Sequence, residues 1–301
     1  MPLKTSIFGS AVSIFLAGFI ALLSSENSYT VMGIPSLIFC AIYSFGIHWI
    51  FFIHAYSYQT EHYFDATGSF TYISLSLILI INSINNYSDN GLNIYSLIIG
   101  SMVIIWAMRL GSFLFKRVKE VGQDIRFIEM KKDFFWFLMT WTLSGLWVFL
   151  TYAAGLLAMT SVSIENSFSH YHYFCLILGS LFWVIGFLIE VISDHQKKVF
   201  RRNESNKGKF IKTGLWAWSR HPNYFGEIIL WTGISIIALP TMEGLKFVVL
   251  ISPIFVYVLL TKISGIPMLE KSSDIKWKND PSYIEYKKNT PVLFLKKPNF
   301  N

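Results

Sequence analysis

The stretch FFWFLMTWTLSGLWVFLTYAAGLLAMTSVSI, Phe134–Ile164, contains no acidic or basic side chain. About 20 consecutive apolar residues carry an α-helix across the hydrocarbon core of a bilayer, so this run is long enough to span one. In lipid a spanning segment must satisfy its own backbone, and a helix does so alone. Working outward, uncharged apolar runs recur at Ser6–Ser24, Ile34–Gln59, Phe70–Ser88, Asn90–Met108 and Asn166–Ile189. Two shorter runs follow, Ile228–Met242 and Phe247–Thr261, interrupted by Pro240 and Pro253, which predicts a tilted or bent hairpin. The fold class is therefore all-α, a polytopic transmembrane bundle of about eight helices. Residues 1–301 read as one membrane domain without repeats or low-complexity tracts. The composition agrees: 53% hydrophobic, 17% aromatic, 14% charged and a mean hydropathy of +0.48.

The first run could pass for a signal peptide with Lys4 as its basic flank. No small-residue cleavage site ends it and seven further runs follow, so it reads as the first span. Cys40 and Cys175 both lie inside apolar runs, where small core residues are the simpler reading than a disulfide or metal pair. The net charge of +7 would suit nucleic acid if it were spread over a surface. It is instead concentrated: 22 of the 25 Lys and Arg fall in the 116–133 and 193–222 connections and in the tail from Lys262. With eight spans these segments share one side of the membrane. The positive-inside rule then places them, with both termini, in the cytoplasm and removes nucleic acid as a partner.

Polar residues cluster at the helix ends on that side. In WAWSRHPNYFGEIILW, Trp216–Trp231, proline favours the first helical turn and the residue before it avoids the α region. His221 is thus the expected N-cap, and Asn223 and Glu227, four apart, share a face. Arg220 stands at a helix N-terminus suited to an anion, and Glu227 is costly inside a span unless it is paired or faces a polar cavity. In IEVISDHQKKVFRR, Glu190, Asp194, Lys197, Lys198 and Arg201 form one helical stripe leaving the membrane. Arg109, Lys116, Arg117 and Arg126 gather near Asp124, and Asp65 lies between Tyr63 and Tyr72 at the start of the third span. Helix capping, lipid-headgroup contacts and plain salt bridges explain any one of these clusters. Four on one face converge on a site for a large polyanion with hydrogen-bonding parts, such as a dinucleotide. There is no G-x-G-x-x-G after a strand, no P-loop and no metal-ligand spacing; His48, His54, His170 and His172 lack acidic company.

GLWAWSRHPNYFGEIILWTGI and DHQKKVFRR resemble the C-terminal domain of the steroid 5-alpha-reductase family, in its bacterial and plant branch of membrane proteins. HYFDATGSFTY, MRLGSFLFKR with GQDIRF, and SGIPMLEK recur in that order there, so the resemblance covers about residue 60 to the C-terminus. It implies a helix bundle that takes NADPH from the cytoplasmic side and a hydrophobic, lipid or steroid-like substrate from the bilayer. It makes Asp194, Arg201, Asn223, Tyr224 and Glu227 cofactor residues, with Lys209 and Arg220 as phosphate partners and Arg109 in the same group. The steroid enzymes polarise the substrate ketone with a Glu and a Tyr from early helices; Asp65 with Tyr63 is the nearest substitute here. The implied chemistry is reduction of a carbon–carbon double bond conjugated to a carbonyl, with an acid hydrogen-bonding the oxygen as charge develops. No obligate protein partner is implied.

Isoprenylcysteine and phospholipid methyltransferases, which bind S-adenosylmethionine, also carry an RHPxYxG segment before a membrane hairpin. They continue with paired Glu residues, whereas this chain has the single Glu270 of SGIPMLEK. That and the SDHQKKVF helix favour the reductase. A non-catalytic lipid-binding protein would have no use for both Asp194 and Glu227 at helix ends.

Overall fold

The computed structural model describes residues 3–26, 28–85, 93–121, 127–161 and 169–298. Asp124, Arg126 and the side chain of Arg117 lie outside the described residues. Among them, eight helical segments are long and apolar enough to cross a membrane, as the run pattern predicts. In chain order the helices are α1 (Leu3–Ser24), α2 (Ser36–Ser57), α3 (Phe64–Asn85), α4 (Ile94–Val121), α5 (Phe134–Thr160), α6 (His170–Arg202), α7 (Pro222–Ala238), α8 (Ile251–Val258), α9 (Gly265–Trp277) and α10 (Pro281–Asn289). The described strands are one short antiparallel pair, Thr30–Val31 with Ile34–Pro35, just before α2.

The chain falls into two compact units, residues 1–175 with 237–252, and residues 176–236 with 253–301. In the first, α5 is the central helix. Asp133 caps it by accepting the Trp136 amide at 2.9 Å. Of its most apolar window 83% is buried, against 22–50% for the other seven spans, which is why a charge is tolerated nowhere along it. Its hydroxyls return to carbonyls one turn back, as Thr142 does to Leu138 and Thr160 to Leu156. The Tyr152 and Ser76 hydroxyls bond at 2.9 Å, and that of Tyr72 meets Thr151, so α3 is joined to α5 by polar as well as apolar contacts. Large side chains on other faces, among them Phe15, Leu22, Ile50 and Ile53, stand exposed, an arrangement suited to lipid rather than water.

In the second unit α6 and α7 pack antiparallel with backbones almost touching. A Cβ at Gly226 would stand 2.6 Å from the Gly186 carbonyl oxygen, and one at Gly233 would stand 2.6 Å from that of Gly179. The glycines are seven apart on both helices, so one face of each is bare over two turns. Close backbone approach through small residues is the usual way helices associate in lipid, where no hydrophobic driving force pushes them together. Past α7 the regular helix gives way. Leu239–Thr241 and Gly244–Leu250 are 3₁₀ turns, Leu259–Ile263 is a π-type segment, and α9 begins after Ser264 at φ −119°, ψ −67°.

Candidate functional site

The glycine seam sets the site, because the polar ends of α6 and α7 come together just beyond it. Glu190 is one turn past Gly186, and its backbone nitrogen would lie 2.7 Å from a Cβ at Gly226. Glu190, Asp194 and Glu227 are buried, at 2%, 6% and 8% exposure. Asn223, in the first turn of α7, donates its side-chain amide to Asp194 Oδ1 at 3.3 Å. Three carboxylates buried on one helix pair are costly to ionise unless donors or cations face them, and such concentrations mark functional sites. Of the residues expected from sequence, Asp194 and Asn223 are thus in contact, with Glu227 one turn further along α7.

The loop between α6 and α7 is held from both sides. Gly214 has φ +62°, and a Cβ there would run into the Gln196 amide at 2.5 Å. Gln196 Oε1 in turn accepts the Leu215 amide at 2.9 Å. Buried Trp216 donates its indole N–H to the Ser193 carbonyl at 2.9 Å, and Lys197 Nζ lies 4.4 Å from the centre of its ring. From the other side the C-terminal tail straps the loop: Arg220 N–H donates to Pro291 O, Lys296 N–H to Trp218 O, and the Ser219 hydroxyl to Leu293 O. The Tyr286 hydroxyl donates to Trp216 O at 2.6 Å, and burial keeps its proton on by pushing its pKa up.

Next to Pro222, Arg220 and His221 meet one carboxylate. Glu270 of α9 takes Arg220 Nη2 at 3.1 Å and His221 Nε2 at 2.9 Å, with Lys287 Nζ 3.6 Å away. Arg220 Nη1 also donates to Lys287 O at 2.9 Å, and Lys287 reaches Asp274 at 2.5 Å. Burial lowers the pKa of His221; Glu270 opposes that, and Lys197 and Arg220 reinforce it. The ring is therefore neutral near pH 7. Glu270, already bound to a guanidinium, accepts from Nε2–H, which leaves Nδ1 as a hydrogen-bond acceptor. That Nδ1 and Arg220 Nε are both buried without a hydrogen-bond partner. Two adjacent residues thus offer one acceptor and one donor to something else. Tyr224 stacks on the His221 ring at 5.7 Å and 9°, and a Cβ at Gly265 would come within 2.7 Å of the tyrosine ring.

The other expected residues are placed differently. Arg201 and Lys209 are exposed; Arg201 is in the last turn of α6, about 10 Å along the axis from Asp194. Asp65, Tyr63 and Arg109 belong to the first unit. Asp65 is in the first turn of α3, and Tyr63, 44% exposed, meets the His54 ring edge-on. Arg109 on α4 lies 5.5 Å from the Phe113 ring. Gly111 abuts Ser69, so the MRLGS and HYFDATGS motifs share a helix crossing. Sequence reasoning placed Glu190 in the helical stripe and His221 at the N-cap without giving either a ligand role, and it used Glu270 only to weigh one family against another. Glu270 lies 49 positions from His221, and no periodicity links the two.

The helices define an integral, multi-pass membrane protein with buried polar groups at the ends of one helix pair. The chain belongs to the family described as Protein of unknown function (DUF1295), whose model matches residues 51–290. Among curated proteins it is similar to 3-oxo-5-alpha-steroid 4-dehydrogenase 1 of Bos taurus, 35% identical over 71 residues, and of Mus musculus, 30% identical over 73. Each match takes 24% of this chain and 27–28% of the relative, so the chain spans about a quarter of the length of these proteins. It is also similar to the Probable O-methyltransferase ustE of Ustilaginoidea virens, 34% identical over 58 residues, or 19% of this chain and 20% of that protein. No solved structure matches significantly. The resemblance to steroid 5-alpha-reductases carried by the motifs is thus found independently.

Proposed function

We propose that this protein is a membrane reductase that uses NADPH to saturate a carbon–carbon double bond conjugated to a carbonyl in a lipid or steroid-like substrate. The observation that carries the reading is the buried Asp194–Asn223 pair with Glu190 and Glu227 beside it. The similarity to steroid 4-dehydrogenases supports it. The groups present suit a dinucleotide. Buried carboxylates accept hydrogen bonds from ribose hydroxyls, and the Asn223 amide both donates and accepts. His221 Nδ1 accepts from an N–H or O–H, and Arg220 Nε donates to an anionic oxygen.

Asp194, Asn223, Tyr224 and Glu227 would hold the ribose–nicotinamide end, and Arg220, Arg201 and Lys209 the phosphates. When bound, NADPH supplies the hydride. The protein's part is to fix that end of the cofactor at the mouth of α6 and α7, where a lipid-dissolved substrate can reach it. The Tyr224 ring, wedged between His221 and Gly265, fixes one wall. In the first unit, Asp65 with Tyr63 would hydrogen-bond the substrate carbonyl. The concentration of lysine and arginine in the connections supports a cytoplasmic placement of this mouth and of both termini.

The second reading, methyl transfer from S-adenosylmethionine, is favoured by the similarity to an O-methyltransferase. One preparation decides between them. Purified protein titrated with NADPH and with S-adenosylmethionine should bind the former, and Glu227→Gln should abolish NADPH consumption over a panel of enone lipids without reducing expression. Methyl transfer that Glu227→Gln abolishes, with no NADPH binding, would overturn the reductase.

A further inference from the structure

The C-terminal strap encloses an open cavity of about 370 Å³ lined by Arg220, Lys287, Lys288, Asn289, Thr290 and Lys296, among others. Its charges do not cancel. Lys287 is matched by Asp274 and, with Arg220, by Glu270. Among the described residues Lys288 and Lys296 make no ion pair, which leaves two cations on one wall. Beside them the Arg220 side chain is 9% exposed, and its Nε is buried with no hydrogen-bond partner.

Two simpler accounts fall short. Lysines in the last turn of α10 suit the negative end of the helix dipole, which covers Lys287 and Lys288. It does not cover Lys296, eight residues on, or the arrival of Arg220 from another part of the chain. A cytoplasmic excess of lysine sets how many cations lie on this side, not their convergence on one cavity around a buried guanidinium.

We infer that this cavity binds a phosphate ester dianion. A guanidinium with lysines is the donor set that matches phosphate oxygens, and two uncompensated lysines balance two negative charges. The volume exceeds a bare phosphate and leaves room for part of the group it esterifies. Two sources fit that chemistry: the phosphorylated ribose of a soluble nucleotide, and the headgroup of a phosphatidic-acid-like lipid. The inference rests on the reductase reading only if the nucleotide is the source.

The test uses the full-length chain in detergent and in phosphatidylcholine nanodiscs. One arm measures binding of adenosine 2′-monophosphate against adenosine; the other measures binding of a soluble, short-chain phosphatidic acid against short-chain phosphatidylcholine. Lys288→Gln/Lys296→Gln, both exposed and so safe for folding, should weaken the preferred phosphate probe about tenfold. Lys271→Gln, an exposed lysine elsewhere, should leave it unchanged. The advantage of the doubly charged probe should also shrink as salt rises. A phosphatidic acid response without NADPH binding would keep this site and remove the reductase. Equal binding of both probes by wild type and the double variant, or an equal loss in Lys271→Gln, would overturn the site.

Discussion

The seam between α6 and α7 makes a quantitative claim at Gly226. A methyl group there would stand 2.6 Å from Gly186 O and 2.7 Å from Glu190 N, whereas ordinary contact begins near 3.4 Å. Both neighbours are backbone atoms and cannot rotate away, so Gly226→Ala must push the helices apart by roughly 0.8 Å. Overpacking of this kind costs about 1–3 kcal/mol. At about 2–4 °C per kcal/mol the melting temperature should fall by about 2–12 °C. The same displacement would stretch the 3.3 Å Asn223–Asp194 bond to about 4 Å, beyond hydrogen-bonding range.

The assay is thermal unfolding in detergent followed by tryptophan fluorescence, with and without NADPH. Gly18→Ala is the control, because a Cβ at that position in α1 has nothing within 4 Å and alanine favours a helix. Wild type and Gly18→Ala should both gain stability from NADPH by mass action, and Gly226→Ala should lose most of that gain. A Gly226→Ala protein as stable as Gly18→Ala would refute the close crossing. One that melts early yet keeps the full NADPH shift would refute the placement of the cofactor at that crossing.

Glu270→Gln should cost about 2–3 kcal/mol by chemical denaturation, below the 3–5 kcal/mol of a fully buried ion pair because Glu270 is 18% exposed; an unchanged midpoint would mean Arg220, His221 and Lys287 do not depend on it. Gly214→Ala should lower stability by about 1–2 kcal/mol through its positive φ and by displacing Gln196, and Gln196→Ala in the same background should recover part of the loss. His221 has a lowered folded-state pKa, so the unfolded chain takes up its proton first, and stability present above the ordinary histidine pKa is lost as pH falls below about 6.5. His221→Gln should flatten that part of the pH–stability curve, and an equally steep curve would assign it to another group.

Much of the fold could be read from the chain because lipid imposes a length rule that eight segments obey in sequence order. The residues that mattered at helix ends were legible for a related reason: a charge inside or beside a span has few inexpensive places to be. Asn223 and Glu227 share a helix face by spacing alone, and Asp194 follows from the stripe on α6. Their partners across helices were not legible. Hydrophobic periodicity says nothing about which glycines of α6 meet which of α7, so the contact of Asn223 with Asp194, 29 positions away, required coordinates. Glu270 illustrates the same limit from the other side. Its meaning lies in what it neutralises, and Arg220, His221 and Lys287 reach it from two distant segments.

The RHPNY segment is better described as a junction than as a binding motif. Within four residues it turns Arg220 toward α9 and the tail, shares His221 between Glu270 and Tyr224, starts α7 at Pro222, and turns Asn223 toward α6. A change at one of these positions therefore alters both the anchoring of the loop and the polar groups offered to a ligand. Alanine scanning cannot separate the two effects. Arg220→Ala leaves Glu270 with the imidazole and the more distant Lys287 ammonium and frees the Lys287 carbonyl, so its damage spreads to the strap. Arg220→Lys keeps the charge at Glu270 but loses the Nε donor and the second guanidinium nitrogen. The difference between those two variants measures what the charge at Glu270 contributes to holding the loop, and the loss that remains in Arg220→Lys measures what the Nε donor and the second guanidinium nitrogen contribute.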